Sequence, residues 1–486
     1  MGLIPRIWAS IQGGQFFIVD ELRYNAGHHL ISQIFDFQYA EALKYFLSNS
    51  AHTFFTLFAA IAEVARYLAL VTFYDSNIKP YELNLSDIGI EVSSCVLSIS
   101  SAINIVLVYL VVISFGGTKS QSLMASFLML LSTSNFYFSR HLVPYDLAIT
   151  FSLLSLYFSG KVNSGPRNAI LCGFFSGIST LTYFGYWVLS FTIWLCCILR
   201  SSKKKNLHLK NALLCGTAGV SILFFLQAFG MIVNINFLDG LINFTSATST
   251  NQMGDLGSGF SIFLEYLWHS ENIVFVFLLC FFLLSLWKSD FLKTKLLNQK
   301  SVGLFCTITI FSLLIFLSDF LESFVLYGRT IKQIVPFLCI SCSLPLCLLV
   351  EKLLREKKVW ILGLLIFTLV ASSISNHLKV LNVVYPNDLK KQAQSVTKHF
   401  DEIGLFEGEN VEKLEKKVSN SSHILVNAQH LVPPLKLCKT LPKGKVILEE
   451  KHPYFAFKPY QYLHFNCNER QLIDQSKTSM YLLEYE

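Results

Sequence analysis

Charge is scarce in this chain. Of its 486 residues only 15% are Asp, Glu, Lys or Arg, where ordinary soluble domains carry about 25%. That scarcity, set beside a 53% hydrophobic content, excludes a water-soluble fold of ordinary surface. A secretory signal peptide is also missing: residues 1–19, MGLIPRIWASIQGGQFFIV, are too polar and too short for one. There is no solenoid-type repeat and no long low-complexity tract. The formal charge of +7 does not mark a nucleic-acid binder, because the Lys and Arg residues sit in short loops between apolar runs. Cysteine offers no disulfide framework. Ten of the twelve lie inside apolar segments (Cys95, Cys172, Cys196, Cys197, Cys215, Cys280, Cys306, Cys339, Cys342 and Cys347). They read there as small hydrophobes, including the CxxC of Cys339 and Cys342. Only Cys438 and Cys467 lie in the tail, where an oxidising compartment would let them pair.

What the chain has instead is long apolar runs. A spanning helix needs about 20 mostly apolar residues. Candidate segments are 52–74, 92–115, 121–138, 144–160, 168–184, 186–199, 210–234, 273–287, 301–320, 331–350 and 358–375. The expected fold is mainly α: a polytopic transmembrane bundle of about ten spans plus an interfacial helix, with a small C-terminal α/β soluble domain.

Loop charge orients the bundle. Sixteen basic residues fall in five alternate loops: Lys119; Lys161 and Arg167; Arg200, Lys203, Lys204, Lys205 and Lys210; Lys288, Lys293, Lys295 and Lys300; and Lys352, Arg355, Lys357 and Lys358. The intervening loops hold Arg140, Arg329 and, over 235–272, no Lys or Arg. The positive-inside rule puts the first set in the cytoplasm. The alternation closes if segment 52–74 lies in the interface, which its Glu63 and Arg66 also favour, since charges in mid-bilayer are costly. Residues 20–90, the 139–146 turn, the 235–272 loop, the Arg329 loop and the tail then share the outer face. An outside N-terminal stretch with no span before it leads to the expectation of a further apolar helix upstream of Met1; the alternative is that residues 3–19 form a poor membrane anchor.

Three domains follow: 1–91, an outer-face loop with an acidic motif and interfacial helices; 92–375, the transmembrane domain; and 376–486, a soluble periplasmic or lumenal domain. The tail carries fifteen Lys/Arg and thirteen Asp/Glu. HILV (423–426) and KVIL (445–448) read as strands, and 388–403 as an amphipathic helix.

Three polar clusters stand out on the outer face. The first is Asp20-Glu21-Leu22-Arg23-Tyr24, followed by Asn25, His28 and His29. It also fits a plain helix N-terminus, where acidic residues complement the dipole. The second is Ser139-Arg140-His141-Leu142-Val143-Pro144-Tyr145-Asp146, with Pro144 opening a helix and Asp146 in its first turn. The third is Tyr327-Gly328-Arg329-Thr330-Ile331-Lys332. Its two cations suit a phosphate or simple snorkelling at the interface.

DELRY at 20–24 resembles the acidic motif after the first span of membrane glycosyltransferases of the GT-C superfamily, notably the protein O-mannosyltransferase-like group and the lipid A aminoarabinose transferases. SRHLVPYDLAITFSLLSLYF (139–158) is similar to that family's second acidic element, with Asp146 at the acidic position, and Arg329 matches its late basic residue. The family's first span is absent here. The Ala51-His52-Thr53-Phe54 stretch lacks the family's proline, so His52 is only a loose equivalent. The resemblance implies transfer of a sugar from a polyprenyl-phosphate donor to a glycan, lipid or protein acceptor. In that scheme Asp20, Glu21 and Asp146 are the catalytic residues and Asp20 the base. Tyr24, His52, Arg140, His141, Tyr145, Arg329 and Lys332 contact substrate. A divalent metal cation, if used, falls to Glu21 or Asp146. The membrane implied is a bacterial inner membrane rather than the endoplasmic reticulum. Two other classes compete. A transporter or lipid flippase predicts inverted repeats and charges at mid-depth, neither of which is visible. A non-catalytic assembly subunit predicts that Asp20 and Asp146 are dispensable.

Overall fold

The computed structural model describes residues 2–12, 19–73, 89–201, 205–249, 259–288, 298, 301–321, 326 and 328–381, and four strands in the tail. The first stretch forms α1 (Leu3–Ile11), a 3-10 turn at Val19–Tyr24, then α2 (Asn25–Phe35), α3 (Tyr39–Ser48) and α4 (Thr53–Phe73). The helical body continues with α5 (Ile90–Ser114), α6 (Lys119–Leu131), α7 (Thr133–Phe138), α8 (Tyr145–Gly160), α9 (Pro166–Thr182) and α10 (Trp187–Arg200). It ends with α11 (Lys205–Ile232), α12 (Phe237–Ser249), α13 (Gly259–Glu271), α14 (Ile273–Lys288), α15 (Val302–Ile315), α16 (Gly328–Ile331), α17 (Val335–Arg355) and α18 (Val359–Leu381).

Six helical segments among the described residues are long and apolar enough to cross a membrane: Ser50–Phe73, Ile90–Ser114, Leu207–Ile232, Val302–Phe320, Gly328–Arg355 and Val359–Leu381. The chain is an integral membrane protein on that ground. Two further apolar helices, Phe184–Arg200 and Ile273–Trp287, are shorter. The apolar run 121–138 is broken at Ser132, whose extended backbone ends α6 and whose hydroxyl caps α7.

The Ser50–Phe73 segment has the length and composition of a span, although its two charges had argued for the interface. Glu63 and Arg66 do not meet lipid: they are 2% and 0% exposed and lie 2.9 Å apart in an ion pair within the protein. Their desolvation is offset by each other and by α2, so they no longer separate an interfacial helix from a crossing one.

Packing sorts the helices by depth. The Gly328–Arg355 segment is 78% buried and forms the centre, whereas Leu207–Ile232 and Val359–Leu381 are each 17% buried. The outer surfaces of α11 and α18 present Phe224, Phe225, Met231, Trp360 and Phe367, as expected of lipid-facing helices. Close approach needs small residues. A Cβ on Gly173 of α9 would sit 1.9 Å from the Cys215 carbonyl oxygen of α11, so only glycine allows that contact. Gly89 opens α5 at φ +91° against Leu70, a backbone conformation that glycine adopts freely.

Some of the loops with like basic content meet one another among the described residues. At the basic end, Arg200 Nε donates to the Gly160 carbonyl (3.4 Å) and Asn163 Nδ2 to the Arg200 carbonyl (2.9 Å). At the other end Ser50 packs on Gly240, and the 3-10 turn meets the 139–146 loop.

In the tail, β1 (Ile403–Phe406), β2 (His423–Asn427), β3 (Lys445–Glu450) and β4 (Met480–Glu484) form one mixed sheet in the order β1-β2-β4-β3. Only β1 and β2 run parallel, with Ile403 opposite His423. Strands expected at 423–426 and 445–448 are present as β2 and β3. The helix expected at 388–403 lies outside the described residues except for Ile403.

The glycine contact makes a direct prediction. Gly173→Ala should lower the melting temperature of the detergent-solubilised protein, with a loss of about 1–3 kcal/mol typical of overpacking. Gly363→Ala, where nothing lies within 4 Å of the added carbon, should leave it unchanged or raised. Equal melting of Gly173→Ala and wild type would show that α9 and α11 do not pack backbone to backbone.

Candidate functional site

The site is built on the face of α5 that carries Ser94, Ser101 and Asn104. These small polar residues let the segment 135–146 lie close alongside. Ser94 Oγ donates to the Arg140 carbonyl (2.6 Å), Ser101 Oγ to the Asn135 carbonyl (3.0 Å) and Asn104 Nδ2 to the Asp146 carbonyl (3.0 Å). Thr150, one turn into α8, donates to Asn104 Oδ1 (2.8 Å). The first turn of α8 is thus pinned before any charged contact is made.

Asp146 then meets Lys332. The lysine Nζ lies 2.6 Å from Asp146 Oδ1, and the two side chains are 1% and 5% exposed. Lys332 also sits 4.6 Å above the Phe138 ring, a favourable cation–π distance. Two residues that sequence reasoning passed over complete the group. With the Asn135 amide oriented to suit its neighbours, its nitrogen donates to Ser101 Oγ and Asp146 Oδ1 (both 3.2 Å), and its oxygen accepts from Arg6 Nη2 (2.8 Å). Arg6 itself is 1% exposed and donates through Nε to Ser101 Oγ (2.8 Å). Two cations and one carboxylate therefore share a buried network of net charge +1. Asp146 Oδ2 has no hydrogen-bond partner among the described residues.

Glu21 reaches the same loop from the 3-10 turn. Its Oε1 accepts from the Leu142 backbone N–H (2.8 Å) and lies 3.3 Å from His141 Nδ1. Arg140 donates to the Val380 carbonyl (2.9 Å) and the Gln12 carbonyl (3.1 Å). It ties α18 and the end of α1 to the loop. The Asp20 side chain and all of Tyr327 lie outside the described residues.

The remaining expected residues separate into two groups. Tyr145, buried, packs edge-on against Tyr183, which stacks on His52. Tyr186 donates to the Arg329 carbonyl (2.7 Å) and packs on Tyr183. His52 and Arg329 therefore border one aromatic cluster with Tyr145. His52 Nδ1 lies 3.4 Å from the Thr182 carbonyl oxygen, and its Nε2, buried, has no partner among the described residues. Tyr24 packs in one core cluster with Leu142 and Leu147, and its hydroxyl donates to Glu63 (2.8 Å), beside His28 Nδ1 at 3.0 Å from the same carboxylate. Its position is that of a buried lock between the 3-10 turn and α4.

Glu271 is a further residue the sequence did not single out. Its carboxylate accepts from Ser132 Oγ (2.9 Å) and from the Thr133 (2.8 Å) and Ser134 (3.0 Å) backbone N–H groups. Burial raises its pKa against the pull of these donors. Glu271 thereby anchors α7, which leads into the 139–146 loop. The Ser-Thr-Ser run after Leu131 signals a helix start, but nothing in it identifies a carboxylate 137 to 139 residues away.

No family model matches the chain, and no curated protein does. Three solved structures with partial likeness are archaeal oligosaccharyltransferases from Archaeoglobus fulgidus. A complex of AglB with an inhibitory peptide and a dolichol-phosphate gives a TM-score of 0.46 at 12% identity, covering 76% of this chain and 61% of that one. An enzyme tethered to an acceptor peptide containing the NVT sequon gives 0.43 at 11% identity, covering 76% and 60%. A complex with Zn and sulfate gives 0.42 at 11%, covering 76% and 59%. The chain thus spans about three fifths of the length of these structures. Scores below 0.5 at such identity assign neither chemistry nor substrate to it.

The ion pair is testable without any activity. Lys332→Met takes away the cation in direct contact with Asp146, leaving Arg6 to act only through Asn135, and should cost about 3–5 kcal/mol of stability. Lys332→Met combined with Asp146→Leu removes both charges and should recover most of that loss, read by thermal unfolding in detergent. If the double variant melts no higher than the single one, the two charges are not coupled.

Proposed function

We propose that the chain is an integral membrane glycosyltransferase that moves a sugar from a polyprenyl-phosphate donor to an acceptor on the outer face of the membrane. The observation that carries the reading is the Asp146–Lys332 pair. It joins two motifs 186 residues apart at the end of the bundle where Glu21 meets His141. The order of the acidic and basic motifs in the sequence supports the same reading.

In this scheme Asp20 takes the proton from the acceptor hydroxyl as the acceptor oxygen bonds to the anomeric carbon. The bond from that carbon to the phosphate oxygen breaks, and the polyprenyl phosphate departs with the electron pair. Arg329, whose backbone is held by Tyr186, stabilises the charge that develops on the phosphate. Lys332 has a different part from direct phosphate contact: its Nζ is committed to Asp146, so it holds that carboxylate in place. Glu21 positions the 139–146 loop through Leu142. The donor set at Asp146 does not fit a divalent cation, because Lys332 and Arg6 already bring two positive charges to one carboxylate. Glu21 is similarly engaged by the Leu142 N–H. A network of net charge +1 suits an anionic donor phosphate better.

The experiment is transfer from radiolabelled polyprenyl-phosphate sugars by the purified full-length chain. Asp20→Asn should reduce turnover by about 10²- to 10⁴-fold while leaving membrane insertion intact, and a chelator of divalent cations should leave turnover unchanged. Wild-type turnover in Asp20→Asn removes Asp20 from the role of base. Loss of turnover on chelation, restored by added cation, overturns the metal-free reading.

A further inference from the structure

Sulfur gathers at the end of the bundle opposite the candidate site. Cys172 on α9, Cys197 on α10 and Cys215 on α11 are all buried, and their sulfur atoms lie within 4.8 Å of one another. The Cys172 and Cys215 sulfurs are 3.7 Å apart. Next to them, Cys196 Sγ lies 3.5 Å from Cys306 Sγ of α15. In sequence these residues read as isolated small hydrophobes, because each comes from a different apolar run or from the unremarked Cys196-Cys197 doublet.

We infer that Cys172, Cys197 and Cys215 form a three-sulfur site for a soft monovalent metal ion, with Cu(I) as the fitting chemistry. Three sulfurs around one ion at a bond length of about 2.3 Å stand about 4.0 Å apart when coplanar. The Cys172–Cys215 distance already falls inside that limit. The longest separation has about 0.8 Å to close, within the reach of small rotamer shifts. Thiol sulfur selects Cu(I), Zn(II) and iron–sulfur clusters over hard cations. A structural Zn(II) site needs four ligands, and a fourth metal-binding side chain is not grouped with these three among the described residues. A monovalent ion that is content with three sulfurs answers that deficit.

Thiolate rather than thiol sulfur is the metal ligand, so Cu(I) arriving at the three thiols displaces their protons, which leave to solvent, and forms copper–thiolate bonds in their place. No oxidation state changes, and binding tightens as the pH rises. Access is short. Cys197 lies three residues from the Arg200 end of α10, about 5 Å along the helix axis, and its carbonyl accepts from Ser201 Oγ (2.8 Å). The site binds together α9, α10 and α11, so metal binding should also stiffen that part of the bundle.

The test is anaerobic titration of the full-length chain in detergent with Cu(I), against a colorimetric Cu(I) chelator. The background is Cys438→Ser/Cys467→Ser. One copper per chain should survive the competition. It should be lost in Cys172→Ser, Cys197→Ser and Cys215→Ser and kept in Cys280→Ser, which alters an exposed cysteine. X-ray absorption should count three sulfur ligands. Thermal unfolding gives a second readout: Cu(I) should raise the melting temperature of the parent chain and not that of Cys215→Ala, a variant to use if the serine changes fold poorly. Retention unaffected by all three substitutions places the copper elsewhere and overturns the site. Failure of the parent chain to hold copper does the same. Stronger retention of Zn(II) with a fourth, light-atom ligand overturns the choice of a monovalent ion. None of these readouts involves sugar transfer, so they stand apart from the proposed activity.

Discussion

The structure depends on keeping charge out of lipid. A lone ionised side chain in an apolar interior is so costly that it must be paired or neutralised. Every buried charge discussed above obeys this rule in its own way. Asp146 is met by Lys332 and, through Asn135, by Arg6. Glu63 is met by Arg66, Tyr24 and His28. Glu21 takes a backbone N–H, and Glu271 takes two with a serine hydroxyl. These partners come from different parts of the chain, and each pairing fixes one helix against another. In a bundle whose apolar side chains are nearly interchangeable, such directional contacts decide which helix faces which.

The candidate site is a by-product of that same requirement. The segment 135–146 lies between α5 and the start of α17, held by serine and asparagine side chains that permit close approach. It carries His141, Tyr145 and Asp146 to one end of the bundle. Arg140, expected from the resemblance to contact substrate, donates to carbonyls of α18 and the end of α1. Lys332, expected to face a phosphate, is turned inward to Asp146. On the proposed reading, the excess of positive charge in the Arg6–Asn135–Asp146–Lys332 network favours an anionic group nearby over a divalent cation.

The two ends of the bundle differ chemically. One gathers acidic, histidine and aromatic side chains, the other basic loops and thiols. Among the described residues, Arg200 meets the Gly160 end of α8, and Ser50 packs on Gly240. The proposed thiol site lies nearer the basic end, with Cys172 in the first half of α9 and Cys197 in the last turn of α10.

Hydropathy is a local property, so the sequence by itself determined that the chain enters a membrane and where most of the apolar helices run. It also marked two of the tail strands. It did not determine partners. A helix that is apolar all round has no period that points to its inner face, so neither the Ser94–Ser101–Asn104 face of α5 nor the meeting of Cys172, Cys197 and Cys215 was legible. The same holds for Arg6, whose short helix carries no motif, and for Glu271, whose N–H donors lie far away in sequence. Helix rotation and depth set these contacts, and both arise only when the helices pack together, with small residues such as Gly173 fixing how near they come.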